Sequence, residues 1–220
     1  MIQIIYYFSL FICLSFISCN GQKTSNKKNE LTNNASLVIG GGCEGCELMY
    51  INMPKKIYNQ DTSLGWNEGV QKLIIKGIIY QKDGITPASN ILVYYWHTDD
   101  MGLYSSNAQT PIEVIEHGKL RGWIQTDKTG EYSIFTSKPA SYPNQDIPQH
   151  IHLSIKEPNI TKEYYADLYF ADDPLYPNFQ KKYGKLDRAG NELLNTITKN
   201  SILLAEHNII LGQNIPNYPK

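Results

Sequence analysis

Two histidines, His150 and His152, close the stretch Ser141-Tyr-Pro-Asn-Gln-Asp-Ile-Pro-Gln-His-Ile-His152. Ile151, Leu153 and Ile155 alternate with His150, His152 and Ser154, a period of two that predicts a strand with one apolar face. Residues two apart on a strand point the same way, roughly 6.6 Å apart along it, so two imidazoles so placed can converge on one metal ion. A lone His-x-His also arises as two surface histidines of a strand. Tyr142 in the same stretch and Tyr104 upstream add phenols to the pair. Any single one of the 16 tyrosines is by default a sheet aromatic. A phenol that gives up its proton to a bound cation, however, becomes an anionic oxygen ligand suited to a hard metal.

Glu157 follows His152 at a distance similar to cupin-type metal sites. Asn144 and Tyr164 stand where the glycines of a cupin strand turn belong, and the downstream His207 lacks a Pro-x-Gly context. The motif order is instead similar to that of the intradiol ring-cleavage dioxygenases, the protocatechuate and catechol dioxygenase family. It comprises Gly102-Leu-Tyr104, Thr126-Asp-Lys-Thr-Gly-Glu-Tyr-Ser-Ile-Phe-Thr136, Lys138-Pro-Ala-Ser-Tyr-Pro143 and Pro148-Gln-His-Ile-His152. Asp167-Leu-Tyr-Phe-Ala-Asp-Asp-Pro174 resembles the family's Leu-Tyr-Phe segment, and the resemblance runs from about Leu73 to about Leu211.

The resemblance implies a non-haem ferric iron, Fe(3+), held by Tyr104, Tyr142, His150 and His152. Tyr104 and His150 would be equatorial and Tyr142 and His152 axial, with Tyr142 leaving as a catechol binds and accepting its proton. The implied reaction cleaves a catechol between its hydroxyl-bearing carbons with insertion of O2. One position departs from the pattern: Ile147 stands where the family carries an arginine beside the substrate. Loss of a fixed cation where charge develops costs a few kcal/mol of transition-state stabilisation. Arg121 and Arg188 are the only arginines. Arg121, at the start of the strand before Thr126, is the candidate replacement, with a solvated strand-end charge as the plain alternative. A metal-free transthyretin-like binding module and an iron-binding relative with altered catalysis are the competing functions.

Residues 4–17 are apolar except for serines, tyrosines and Cys13, too short a run for a membrane span of ~20 residues but suited to a signal-peptide core. Phe16-Ile-Ser-Cys19-Asn-Gly resembles a lipoprotein cleavage box with Cys19 as the lipidated residue, although no Lys or Arg precedes Ile4; a transmembrane anchor is the alternative. The expected organisation is a signal peptide over 1–19, a polar tether over 20–36 and one domain over 37–220, exported and lipid-anchored to a bacterial membrane. Cys43-Glu-Gly-Cys46 could be a redox pair, half a zinc site or a tight disulfide. No second cysteine pair and no βαβ pattern accompany it, and an exported chain meets oxidant, which favours a Cys43–Cys46 disulfide.

With 20 basic and 21 acidic residues the net charge is −1, which suggests no nucleic-acid partner. Short strand signals at Leu73–Tyr80, Ile91–Trp96, Glu131–Thr136, His150–Ile155 and Tyr164–Phe170 predict an all-β sandwich of mostly antiparallel strands. One short helix is expected over Asp187–Thr198, where Leu193, Leu194 and Ile197 share a face, and Ile202–Leu211 is expected to return to the sheet.

Overall fold

The computed structural model describes residues 38–43 and 45–219. The expected signal peptide, the lipidation site Cys19 and the tether lie outside the described residues. Alternating apolar and polar positions make strands here because each strand buries one face against a facing sheet. In chain order they are β1 (Gln60–Thr62), β2 (Lys72–Tyr80), β3 (Leu92–Trp96), β4 (Arg121–Gln125), β5 (Glu131–Ser137), β6 (His150–Lys156), β7 (Tyr164–Phe170), β8 (Leu193–Leu194), β9 (Thr196–Lys199), β10 (Ile202–Glu206) and β11 (Ile209–Ile210). Two short helices, α1 (Gly65–Glu68) and α2 (Tyr176–Tyr183), and 3-10 turns at Cys46–Tyr50 and Ile112–His117 complete the elements among the described residues.

The strands form two sheets. One has six strands in the order β1-β5-β2-β10-β9, with β11 also on β2; the other has five in the order β4-β3-β6-β7-β8. The architecture is the all-β sandwich that the strand spacing predicts. The core lies between the sheets: Leu73, Ile75, Ile79, Tyr132 and Ile134 from one meet Val93, Ile124, Ile151, Leu153, Ile155, Leu168 and Phe170 from the other. Fully burying one such side chain contributes about 1.5–3 kcal/mol, so this layer dominates the stability of the sandwich.

One expected element is corrected. Residues 187–198 form no helix: Asp187, Ala189 and Gly190 have positive φ, and the segment continues into β8 and β9. Glu192 turns its carboxylate back to accept from the backbone N–H of Leu186 and Asp187 and from the Tyr176 hydroxyl. Leu193 and Leu194 pair in parallel with Tyr169 and Phe170, so sheet pairing overrides their helical spacing. The longer described helix is α2. It begins where Asp173 Oδ1 accepts from Leu175 N at 2.7 Å, with Pro177 in its first turn, and ends at Gly184 with φ 82°.

Candidate metal centre

The five-stranded sheet has two unlike faces. Ile151, Leu153 and Ile155 of β6 point into the core, so His150 and His152 point out. Strand register extends this outer face sideways. Trp96 of β3 is paired with His152, His152 with Asp167 of β7, and Trp96 on its other side with Arg121 of β4. Arg121, Trp96, His152 and Asp167 therefore form one row across four strands. Trp96 stacks on His152 with centroids 4.8 Å apart.

Two loops bring the phenols to this face. Before Tyr104 the chain turns tightly at Asp99, whose Oδ1 accepts from Met101 N and Leu103 N. Tyr142 follows Ser141, whose hydroxyl donates to Asp173 Oδ2, and the same carboxylate oxygen accepts from Gln149 N at 2.7 Å. The loops nest at Gly102, with φ +77°, where an added Cβ would lie 2.0 Å from Ser141 O. A side chain there would push the two tyrosines apart.

All four polar tips converge. Tyr104 Oη and Tyr142 Oη are 2.5 Å apart, and His150 Nε2 and His152 Nε2 are 3.0 Å apart. Tyr142 Oη lies 3.2 and 3.4 Å from the two imidazoles, and Tyr104 Oη lies 3.0 Å from His152 Nε2. The outer nitrogens face acceptors only: His150 Nδ1–H donates to Pro148 O and His152 Nδ1–H to Asp167 Oδ1, each at 2.7 Å. In neutral rings this fixes the tautomer and aims both Nε2 lone pairs at the centre of the cluster. Two lone pairs and two phenol oxygens then share only two protons, an electron-rich set that a cation would complete. Two imidazoles and two ionisable phenols fit a ferric ion. Among the described residues no group of three or more His, Cys, Asp or Glu gathers, so a metal here depends on the phenols.

Burial sets the proton affinities. It raises the Tyr104 phenol well above its ordinary value, reinforced by the Tyr142 hydrogen bond and charge, and it raises Tyr142, opposed by the hydrogen bond from Tyr104. His150 is lowered to about 4 by burial and by the charge of His152. Burial alone would raise Asp167, but the charge and hydrogen bond of His152 outweigh it and hold the carboxyl below its usual range. His150 thus stays neutral and able to bind metal, while the phenols keep their protons until a cation displaces them.

A cavity of about 370 Å³ opens beside the cluster, lined by Tyr104, His152, Asp167, Trp96, His117 and Cys43 among others. Its volume lies within the range of small-molecule sites. A disulfide joins Cys43 and Cys46 at its edge, and the 3-10 turn beyond packs Met49 onto Tyr94 and Trp96. The other sequence candidates lie elsewhere. Arg121 does not line the cavity; its Nη1 donates to Ile51 O at 3.2 Å and its guanidinium lies over the Trp123 ring. Ile147 faces a separate groove with Leu175, Phe179 and Tyr183 of the α2 region. Sequence reasoning did not single out His117, Trp96 or the bond from His152 to Asp167. For Trp96 and Asp167 the signal was strand register, available only once the pairing is known.

The two-sheet sandwich carries a Tyr-Tyr-His-His cluster beside a cavity of small-molecule size, and residues 52–197 match the family model described as Dioxygenase. The chain belongs to the intradiol ring-cleavage dioxygenase family. It is 27% identical over 115 residues to chlorocatechol 1,2-dioxygenase of Pseudomonas sp. (strain P51), covering 43% of each chain. It is 30% identical over 110 residues to catechol 1,2-dioxygenase 2 of Acinetobacter lwoffii, covering 42% of this chain and 38% of that one. The match thus spans less than half the length of these relatives. Among solved structures, hydroxyquinol 1,2-dioxygenase from Pseudomonas putida DLL-E4 superposes with TM-score 0.54 at 20% identity, over 73% of this chain and 62% of that one. The dioxygenase domain of a dioxygenase carbohydrate-binding protein fusion from Streptomyces sp. SirexAA-E does so with TM-score 0.52 at 18% identity, over 70% and 87%. These superpositions establish the shared fold.

Proposed function

We propose that the chain is a non-haem ferric dioxygenase that cleaves a catechol-type ring between its two hydroxyl-bearing carbons, both atoms of O2 entering the product. The observation that carries this reading is the convergence of Tyr104, Tyr142, His150 and His152 with both Nδ1 protons committed outward. Ferric iron, when bound, supplies a Lewis acid and template that leaves a catecholate electron-rich toward oxygen.

The side chains do the rest. Pro148 O and Asp167 fix the two imidazoles. Tyr104 anchors one side through its short contact with Tyr142. Tyr142, on the Ser141-Tyr-Pro143 loop, accepts at Oη the proton released by a catechol hydroxyl. Trp96 stacks on His152 and closes the wall behind it. Export and anchoring through Cys19 belong to the same proposal, supported by the apolar leader and polar tether of the sequence.

The test is the metal content, visible spectrum and product of the purified chain. About one iron per chain, a tyrosinate-to-iron absorption band and a muconate-type diacid carrying both oxygen atoms are expected. Tyr142→Phe retains more iron than His150→Ala yet slows turnover. A wild-type chain that takes up zinc but no iron overturns the reading. Because no Arg or Lys among the described residues lines the cavity, a second reading is an iron-binding relative with altered catalysis; iron uptake without cleavage of any catechol would select it. Recovery of unlipidated protein cleaved away from Cys19 would overturn the anchor.

A further inference from the structure

One wall of the cavity belongs to no part of the metal cluster. His117 ends the 3-10 turn Ile112–His117, is 4% exposed, and stacks on Trp96 at 4.1 Å and 12°. Trp96 also stacks on His152, so this imidazole stands one indole away from the cluster.

Its two nitrogens have different surroundings. Nδ1 lies 3.0 Å from the Tyr94 hydroxyl. Burial pushes that phenol up to about 12, opposed by the hydrogen bond and charge of the adjacent Arg121. The Arg121 charge acting on the Tyr94 phenol favours the arrangement in which the hydroxyl donates to His117 Nδ1. The ring itself is neutral, because burial and the charges of His152 and Arg121 hold it down to about 4. With Nδ1 accepting, the single ring proton sits on Nε2. Among the described residues Nε2 has no hydrogen-bond partner. Gly45 keeps it uncovered: with φ +76°, an added Cβ there would lie 2.8 Å from Nε2. Cys43 and Gly45 thus supply a cavity wall with a side chain missing where the imidazole needs room. Among the described residues the cavity lining includes the carboxylates of Glu116 and Asp167 and no Lys or Arg.

Resting on the proposed function, we propose that His117 is a substrate-recognition residue: its Nε2–H donates to an uncharged acceptor oxygen on a substituted catechol, and the acidic lining rejects ring carboxylates. A buried donor left without a partner disfavours substrates lacking the acceptor, which is how one hydrogen bond discriminates. Arg121 and Tyr94 act through His117 as positioning residues.

The experiment titrates the iron-loaded chain anaerobically with 3,4-dihydroxyacetophenone, 4-methylcatechol and 3,4-dihydroxybenzoate, following the visible band, and repeats the comparison by calorimetry on the iron-free chain. The expected order is the ketone bound about ten-fold more tightly than the methyl compound, on the scale of one hydrogen bond, and the carboxylate weakest. His117→Phe erases the ketone preference while keeping the iron content and melting temperature, and His117→Gln, which retains an N–H donor, restores part of it. Persistence of the preference in His117→Phe, or wild-type binding of the carboxylate as tight as the ketone, overturns the inference. A wild-type chain that loads no iron defeats the functional reading instead, and the calorimetric comparison on the iron-free chain still decides the role of His117.

Discussion

The inner and outer faces of the five-stranded sheet are built from alternate residues of the same strands, yet they do different work. Inward, Val93, Ile124, Ile151, Leu153 and Ile155 make a dry aliphatic layer against the other sheet. Outward, Tyr94, Trp96, His150, His152 and Asp167 make a layer of rings and polar groups under separate cover, with Met49 packed on Tyr94 and Trp96. The inner face tolerates any close-packed apolar set of the right volume. The outer face requires particular atoms within a few tenths of an ångström. Both depend on one register, since a slip of a single residue would send the histidines into the core and the isoleucines to the outer face.

The sharpest way to break the comparison is on β6, where neighbouring residues serve opposite faces. His152→Ala and His150→Ala are each expected to reduce iron from about one per chain to almost none, by metal analysis, with the far-ultraviolet circular dichroism retained. Leu153→Ala should do the reverse. It should lose about 2–5 kcal/mol in denaturant unfolding while the folded fraction still binds iron. If the inner substitution abolished iron binding in folded protein, the independence of the two faces would be lost.

Smaller effects sharpen the division. Asp167→Asn keeps a side chain at the His152 Nδ1 contact but removes its charge. A 10–100-fold loss of iron affinity is expected, read by competition with a chelator, with little change in melting temperature of the iron-free chain. On the core side, His207 donates from Nε2 to Asn191 O and is held down to about 4 by burial. Its folded value lies below that of the unfolded chain, near ~6.5. The unfolded state therefore takes up the proton first, and stability falls as pH drops from about 6.5 toward 4. His207→Gln should start less stable but show a flatter decline in melting temperature over that window. An unchanged slope would remove His207 from the acid response.

The two faces were unequally legible in the sequence. The alternation of Ile151, Leu153 and Ile155 with the histidines places β6, and the runs beginning at Leu73 and Tyr164 place β2 and β7, because local pattern and burial agree there. Leu193, Leu194 and Ile197 misled, since a helical spacing was overruled by parallel pairing with β7 that no local pattern reports. Gln60–Thr62 carries no apolar signal and becomes a strand only by lying along β5. At the site, the tyrosines and histidines were visible as types in order. His117 was not, because its place on Trp96 comes from a fold-back across the cavity rather than from any spacing. Ile147 marks an arginine missing from the family pattern, but only the structure shows that the position faces the α2 groove and that the Arg121 charge acts on the Tyr94 phenol.

The position of β2 in the six-stranded sheet has a consequence for how the chain comes together over time. β5 covers one edge of β2, but the other edge is taken in parallel by β10 and β11, at registers such as Leu203 on Leu73 and Ile209 on Ile79. During synthesis that edge stays open until the ribosome has released the segment after residue 200, the last part of the sandwich to emerge. Closing so long a loop onto a parallel partner is intrinsically slow. In that interval Leu73-Ile-Ile-Lys-Gly-Ile-Ile presents an apolar strand with unsatisfied backbone groups. Lys76, exposed in the finished protein, is the charge in this run that opposes edge-to-edge association of nascent chains.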